Sequence, residues 1–306
     1  MFTVGAPNST TQAPGSAGAE ERFLTVDGVR VRYLFRPCSK PAPQSPPILL
    51  IHGLLGFSYS WRHNIDPLSE IADIYAPDLP GVGYSERSSR LDCSFRGIAE
   101  FLFHFADTLK LHRINLIATS HGGGVAIAAV ARDLEEHGFE NRRVQRLVLV
   151  APVNPWSAGR AWLTDALATP VGWWCARACY PLLARCQGLF LRRVYGDPSR
   201  IERDAPGHYA LPALIPGTAS HLQKVLKSWP SDISALRKSL ATIREVPTLL
   251  IWGTCDTAVR PSSAEPLALC FRHAQIKMIE CAGHLPYEET PEEFNAAVMP
   301  FLASSF

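Results

Sequence analysis

The string Leu116-Ile117-Ala118-Thr119-Ser120-His121-Gly122-Gly123-Gly124 joins an apolar run to a serine flanked, two residues either side, by small ones. Between a buried strand and a helix, such an elbow lifts the serine hydroxyl above a sheet, at the positive end of the following helix. Ala118 stands where glycine is usual, a small departure. A serine hydroxyl becomes a useful nucleophile only when a positioned base takes its proton. Among ten histidines, His284 in Cys281-Ala282-Gly283-His284-Leu285-Pro286 is the candidate, because it follows the last strand-like run and precedes the final helical one. The imidazole needs an acid to fix its tautomer and stabilise its charge. Asp256, in Trp252-Gly253-Thr254-Cys255-Asp256, follows the preceding strand-like run; the rival loop after Val150 offers Asn154 and no carboxylate. The chain order is serine, acid, histidine, at intervals of 136 and 28 residues. A tetrahedral intermediate also needs two backbone donors aimed at its oxyanion. The amides of His121 and of Leu54, in His52-Gly53-Leu54-Leu55-Gly56, are expected to supply them, with His52 tying that loop together. These residue types in this order suit nucleophilic catalysis at Ser120 through a tetrahedral intermediate.

Such loops meet only if one sheet edge carries them all. Short apolar runs at 48–51, 74–76, 114–118, 144–150, 247–252 and 275–279 suit strands covered on both faces. An Asp27-Gly28 turn between 23–26 and 29–35 reads as a hairpin. Helical stretches at 95–109, 122–136, 262–271 and 291–302 alternate with the strands, which predicts an α/β fold with a mostly parallel sheet flanked by helices. The alternation stops after the sixth strand. From 156 to 240 there are only helical pieces broken by prolines, and five of the seven tryptophans. That interval has eleven basic and five acidic residues, a net +6, against −4 for the remainder. The expected division is a mobile tail at 1–21, a core at 22–155 and 241–306, and a helical cap at 156–240. Trp173 and Trp174 in the cap, with Phe57 in the core, are expected to line a substrate pocket. Arginines spaced through 171–185 either lie over the core's acids or meet an anionic amphiphile or a membrane surface.

With 306 residues, 47% of them hydrophobic and 19% charged, the chain can bury a large core, which excludes disorder as its main state. A net charge of +2 does not suit a dedicated nucleic-acid binder. No apolar run reaches the roughly 18 residues of a membrane span. The N-terminus lacks a basic start followed by an apolar stretch, so a cytoplasmic protein is expected. Eight cysteines without a CxxC pair read as reduced, mostly buried thiols, and neither a cofactor nor a metal is expected.

Taken in order, His52-Gly53, Tyr59-Ser60-Trp61-Arg62, Asp78-Leu79-Pro80-Gly81-Val82-Gly83-Tyr84-Ser85, the Ser120 elbow, Trp252-Gly253-x-x-Asp256 and Gly283-His284 resemble the α/β-hydrolase superfamily. The resemblance spans about 23–306, the cap lacking recognisable motifs. The Tyr-Ser-Trp-Arg and Asp-Leu-Pro-Gly segments look most like the epoxide hydrolase and haloalkane dehalogenase branch. Those enzymes use an aspartate nucleophile, where this chain has Ser120, and Leu55 replaces the proline of the epoxide hydrolase His-Gly-x-Pro. The resemblance therefore implies serine-dependent acyl chemistry, with hydrolysis of carboxylic esters bearing an apolar moiety as the leading expectation. C–C bond hydrolases, lactonases, perhydrolases, amidases and acyltransferases share the triad, and a ligand receptor on the same fold is the non-catalytic alternative. A small-molecule acyl substrate is the expected partner; these motifs do not address oligomeric state.

Overall fold

A computed structural model describes residues 18–41, 43–157 and 169–304. Eight strands form one sheet: β1 (Glu20–Val26), β2 (Val29–Arg36), β3 (Ile48–Ile51), β4 (Ile74–Pro77), β5 (Ile114–Thr119), β6 (Val144–Val150), β7 (Thr248–Gly253) and β8 (Ala274–Ile279). Their order across the sheet is β1-β2-β4-β3-β5-β6-β7-β8. The β1–β2 and β2–β4 pairs are antiparallel and every other pair is parallel. This is the expected α/β architecture. β1 begins earlier than the hairpin reading placed it: Glu20 and Glu21, assigned to the tail, pair with Phe35 and Leu34. Cross-strand bonding, invisible in local composition, extends the strand.

The central strands are apolar on both faces because both faces are covered. Leu49 and Ile51, Leu116 and Ala118, Leu147 and Leu149, and Leu250 and Trp252 pack on one side with Phe95, Val125 and Leu236. Their neighbours Ile48 and Leu50, Ile117, Val148 and Val150, and Leu249 and Ile251 pack on the other with Trp61, Phe294 and Val298. Side chains alternating along each strand divide one apolar run between two cores. The register aligns the carboxyl ends of the parallel strands: Ile51 lies beside Ala118, Thr119 beside Val150, Val150 beside Ile251, and Gly253 beside Ile279. The loops that follow therefore leave one edge.

Helices Phe95–Thr108, Ser120–His137 and Pro291–Ala303 cover the sheet near their expected positions, whereas the expected 262–271 helix shrinks to Ala264–Ala268. Between β6 and β7 lie helices Pro170–Arg185, Gln187–Val194, Ala205–Ala213 and Thr218–Thr242. The last runs straight through the expected cap boundary at 240. Its later part belongs physically to the core, where Leu236 and Leu240 are buried with Ile127 and Val130 and where Trp229 and Ile233 pack. No helix among the described residues is long and apolar enough to cross a membrane. The seven described cysteines are free, but only Cys93 is buried, and Cys179, Cys255 and Cys281 are exposed, which corrects the expectation of mostly buried thiols.

Candidate active site

Ser120 ends β5 and opens the helix Ser120–His137, with a backbone φ of +52°. Only a few per cent of non-glycine residues adopt this left-handed region, and they cluster where the fold uses the strain. The small neighbours have a visible reason. A Cβ on Gly122 would sit 2.4 Å from the His52 carbonyl oxygen, and one on Gly53 would sit 3.1 Å from the Ser120 Cβ. The helix and the loop after β3 thus approach each other as nearly bare backbone.

Asp256 and His284 come from the loops after β7 and β8. The His284 Nδ1 and the Asp256 Oδ2 are 2.8 Å apart, and both residues are buried. The other carboxylate oxygen accepts from the amides of Ala258 at 2.7 Å and Val259 at 3.0 Å, so the acid is aimed by its own turn. Tyr287, three residues beyond His284, is buried and packs on Trp61 with ring centroids 4.3 Å apart.

The loop after β3 is held by His52. The amide of Leu79 donates to His52 Nε2 at 2.9 Å, so that nitrogen carries the lone pair. Nδ1 then holds the proton and donates to the Gly53 oxygen at 2.8 Å. Burial lowers the pKa of His52 and keeps it neutral. It is a brace, as expected, with no free nitrogen for proton transfer. The Gly56 amide closes the loop on the Gly53 oxygen at 3.0 Å, and Leu55 takes a φ of +62°. The His121 side chain turns away from the nucleophile, stacked at 5.9 Å on Trp229 and edge-on to Phe95. Burial, with smaller effects from His221 and His52, pushes its pKa down to about 3. The His121 ring is therefore neutral and buried.

The expected pocket residues separate. Phe57 is buried where cap meets core, stacked on Tyr59 and edge-on to Tyr209 of the cap. Trp174, unlike Phe57, is 72% exposed. The helix carries Trp174 on its solvent side, a direction that composition could not give. The Trp173 side chain lies outside the described residues.

Sequence reading missed the acids that follow His284. Glu288 receives Arg62 at 2.7 Å and the hydroxyls of Tyr195 and Tyr209, while Arg62 also reaches Glu202 of the cap at 2.7 Å. Glu289 accepts from the amides of Gly283 and of Asp197. Adjacent acids opening a helix suggest an exposed first turn; burial of both is the only sign of another task, and it is tertiary.

A family model described as the alpha/beta hydrolase fold matches residues 46–177. The dihydrolipoyllysine-residue acetyltransferase component of the acetoin cleaving system from Cupriavidus necator is 29% identical over 94% of this chain and 70% of that protein. Haloalkane dehalogenase 2 from Mycobacterium tuberculosis is 29% identical over 83% of this chain and 87% of its own. A solved membrane phospholipase A, titled a bacterial virulence factor, is 26% identical with a TM-score of 0.75, covering 93% of this chain and 86% of its own. Strand order, elbow and relatives agree: the chain has the α/β-hydrolase fold, and its scaffold resembles the epoxide hydrolase and haloalkane dehalogenase branch.

Proposed function

We propose that the protein hydrolyses carboxylic esters with an apolar moiety through an acyl-enzyme at Ser120. His284 Nε2 takes the hydroxyl proton as the oxygen attacks the acyl carbonyl, then gives it to the departing alcohol. Asp256 fixes the imidazole with its proton on Nδ1 and stabilises the imidazolium. The amides of Leu54 and His121 receive the oxyanion. Water, activated by the same imidazole, then releases the acid and restores Ser120. The observation that carries this reading is the buried 2.8 Å His284–Asp256 contact at the sheet edge that also bears the left-handed serine. Similarity to a membrane phospholipase A and to an acetyltransferase component supports acyl chemistry. Phe57, among Tyr59, Leu191 and Tyr209, offers the apolar wall. A short-chain aryl ester and a serine-directed phosphonate test the reading: turnover with stoichiometric labelling of Ser120 is expected. Tight ligand binding without turnover would make the protein a receptor. A panel of esters graded by acyl length, run beside lactones, amides and a vinylogous diketone, separates the ester reading from its triad-sharing alternatives.

The cap supplies a second contact, with an anionic membrane surface. Trp174, Leu182, Leu183, Leu189 and Phe190 are exposed on helices Pro170–Arg185 and Gln187–Val194, and Leu211 on Ala205–Ala213. Arg177, Arg185, Arg192 and Arg193 are exposed on the first two of these described helices as well. Arg177 donates to Ser220 and Arg185 to the Pro181 oxygen, both within the cap, and among the described residues neither meets a core acid. Apolar side chains beside unneutralised arginines suit an acidic leaflet, where each basic residue contributes about 1 kcal/mol.

A further inference from the structure

The catalytic loops are fastened to the cap as well as to the sheet. Thr257, next to Asp256, donates its hydroxyl to the Arg193 oxygen at 2.9 Å. The His284 amide donates to the Val194 oxygen at 2.6 Å. Three residues further along the cap, the Asp197 amide donates to Glu289 at 2.7 Å, and the other oxygen of that carboxylate holds the Gly283 amide. One short cap segment, 193–197, thus bonds to the acid loop and to the base loop.

The approach depends on glycine at both surfaces. A Cβ on Gly283 would fall 2.2 Å from the Val194 oxygen, and one on Gly196 would fall 2.3 Å from the Cys281 oxygen. Backbone here packs on backbone. Tyr195, inside the segment, is buried and sends its hydroxyl to Glu288, which also holds Arg62. Glu289 is buried too, and that burial raises its pKa, against the amides of Asp197, Gly283 and Gly196 that favour its charged form. Two amides held by the two oxygens of one buried carboxylate make a directional clamp, because the acceptor satisfies one from each side of the cap–core junction.

We infer that the cap segment 193–197, clamped by Glu289, positions His284 and Asp256 for proton transfer, so that a displaced cap displaces the base. Glu289 is a positioning residue that acts through the Gly283–His284 backbone. This inference rests on the acyl-transfer reading of Ser120 and adds a coupling between cap seating and catalytic rate. At this end the cap moves only together with the histidine loop.

Three variants of the full chain test it. Glu289→Gln turns one acceptor oxygen into an amide donor facing an amide N–H. Thr257→Val removes the bond to the Arg193 oxygen. Gly196→Ala pushes the segment off the Cys281 oxygen without altering the core. Misplacing a catalytic group by about 1 Å costs on the order of 10²-fold, so kcat for a short-chain aryl ester should fall by about that factor in Glu289→Gln. KM should stay within about threefold, because substrate contacts are unchanged. A second readout needs no substrate: the downfield proton resonance of His284 Nδ1–H, hydrogen-bonded to Asp256, should broaden or move upfield in the same variants.

A fall in kcat at steady KM, with loss of the resonance, supports the inference. A lower melting temperature with kcat and resonance unchanged well below it would make the clamp merely structural and overturn the inference. If the parent turns over no ester, the hydrolase reading fails by itself, and the resonance still decides: its loss supports positioning and its persistence refutes it. If Glu289→Gln does not fold, Gly196→Ala and Thr257→Val carry the same two outcomes.

Discussion

Replacing Asp256 by asparagine separates orientation from charge with little change of shape. The native carboxylate divides its work: one oxygen takes the Ala258 and Val259 amides at 2.7 and 3.0 Å, and the other meets His284 Nδ1 at 2.8 Å. An asparagine must point its only acceptor at the two amides, since the reverse leaves an NH2 group facing two N–H donors in a buried site. Its NH2 then faces His284 Nδ1 and donates to it. The proton moves to Nε2, the nitrogen that must accept from Ser120, and the imidazole stops acting as a base. The same substitution in a trypsin-type triad lowers kcat about 10⁴-fold, corresponding to about 5.4 kcal/mol of barrier. Because the two amide bonds survive, the melting temperature should stay near that of the parent. Steady-state hydrolysis of a short-chain aryl ester, with a thermal melt of the same sample, measures both. A loss smaller than about tenfold with intact folding would refute the tautomer argument and the role of Asp256.

Ser120→Ala and Ser120→Gly should both abolish turnover, but only glycine removes the Cβ from a left-handed backbone at φ +52°. The glycine variant should therefore be the more stable of the two by about 1 kcal/mol, and matching thermal melts would mean that the elbow stores no strain. Burial raises the Asp232 pKa to about 6, although its Oδ1 accepts from the Phe95 amide. A carboxyl with a folded pKa above its unfolded value binds more protons when folded, so the stability it contributes is present at low pH and lost as pH rises through about 6. Asp232→Asn should flatten that part of the stability curve between about pH 4 and 6, and parallel curves for variant and parent would exclude Asp232 as its source. Anionic vesicles should sediment the protein more than zwitterionic ones, and added salt should weaken the effect. Arg185→Glu with Arg192→Glu should reduce vesicle binding and long-chain ester turnover while short-chain turnover survives; equal binding to both vesicle types would return the cap to a structural role.

Local chemistry determined much of this protein in advance. Apolar runs bounded by turn residues marked the strands because a doubly covered strand must be apolar along its length, and 48–51 and 144–150 match β3 and β6 at both ends. Ser120, Asp256 and His284 stood out because an elbow, an acid and a base each need a particular neighbourhood along the chain. The tertiary structure decided what depends on partners distant in sequence. Glu20 and Glu21 joined β1 through Phe35 and Leu34, and the helix Thr218–Thr242 crossed from cap to core because its later part packs on the helix Ser120–His137. Trp174 turned outward, whereas Phe57 turned inward against Tyr209. Glu288 and Glu289 look like an ordinary acidic helix start until Arg62, Tyr209, Gly283 and Asp197 close around them. A sequence motif records what a residue can do; which buried donor meets which acceptor is settled only when the chain folds back on itself, because hydrogen bonds act over about 3 Å of space and not along the sequence.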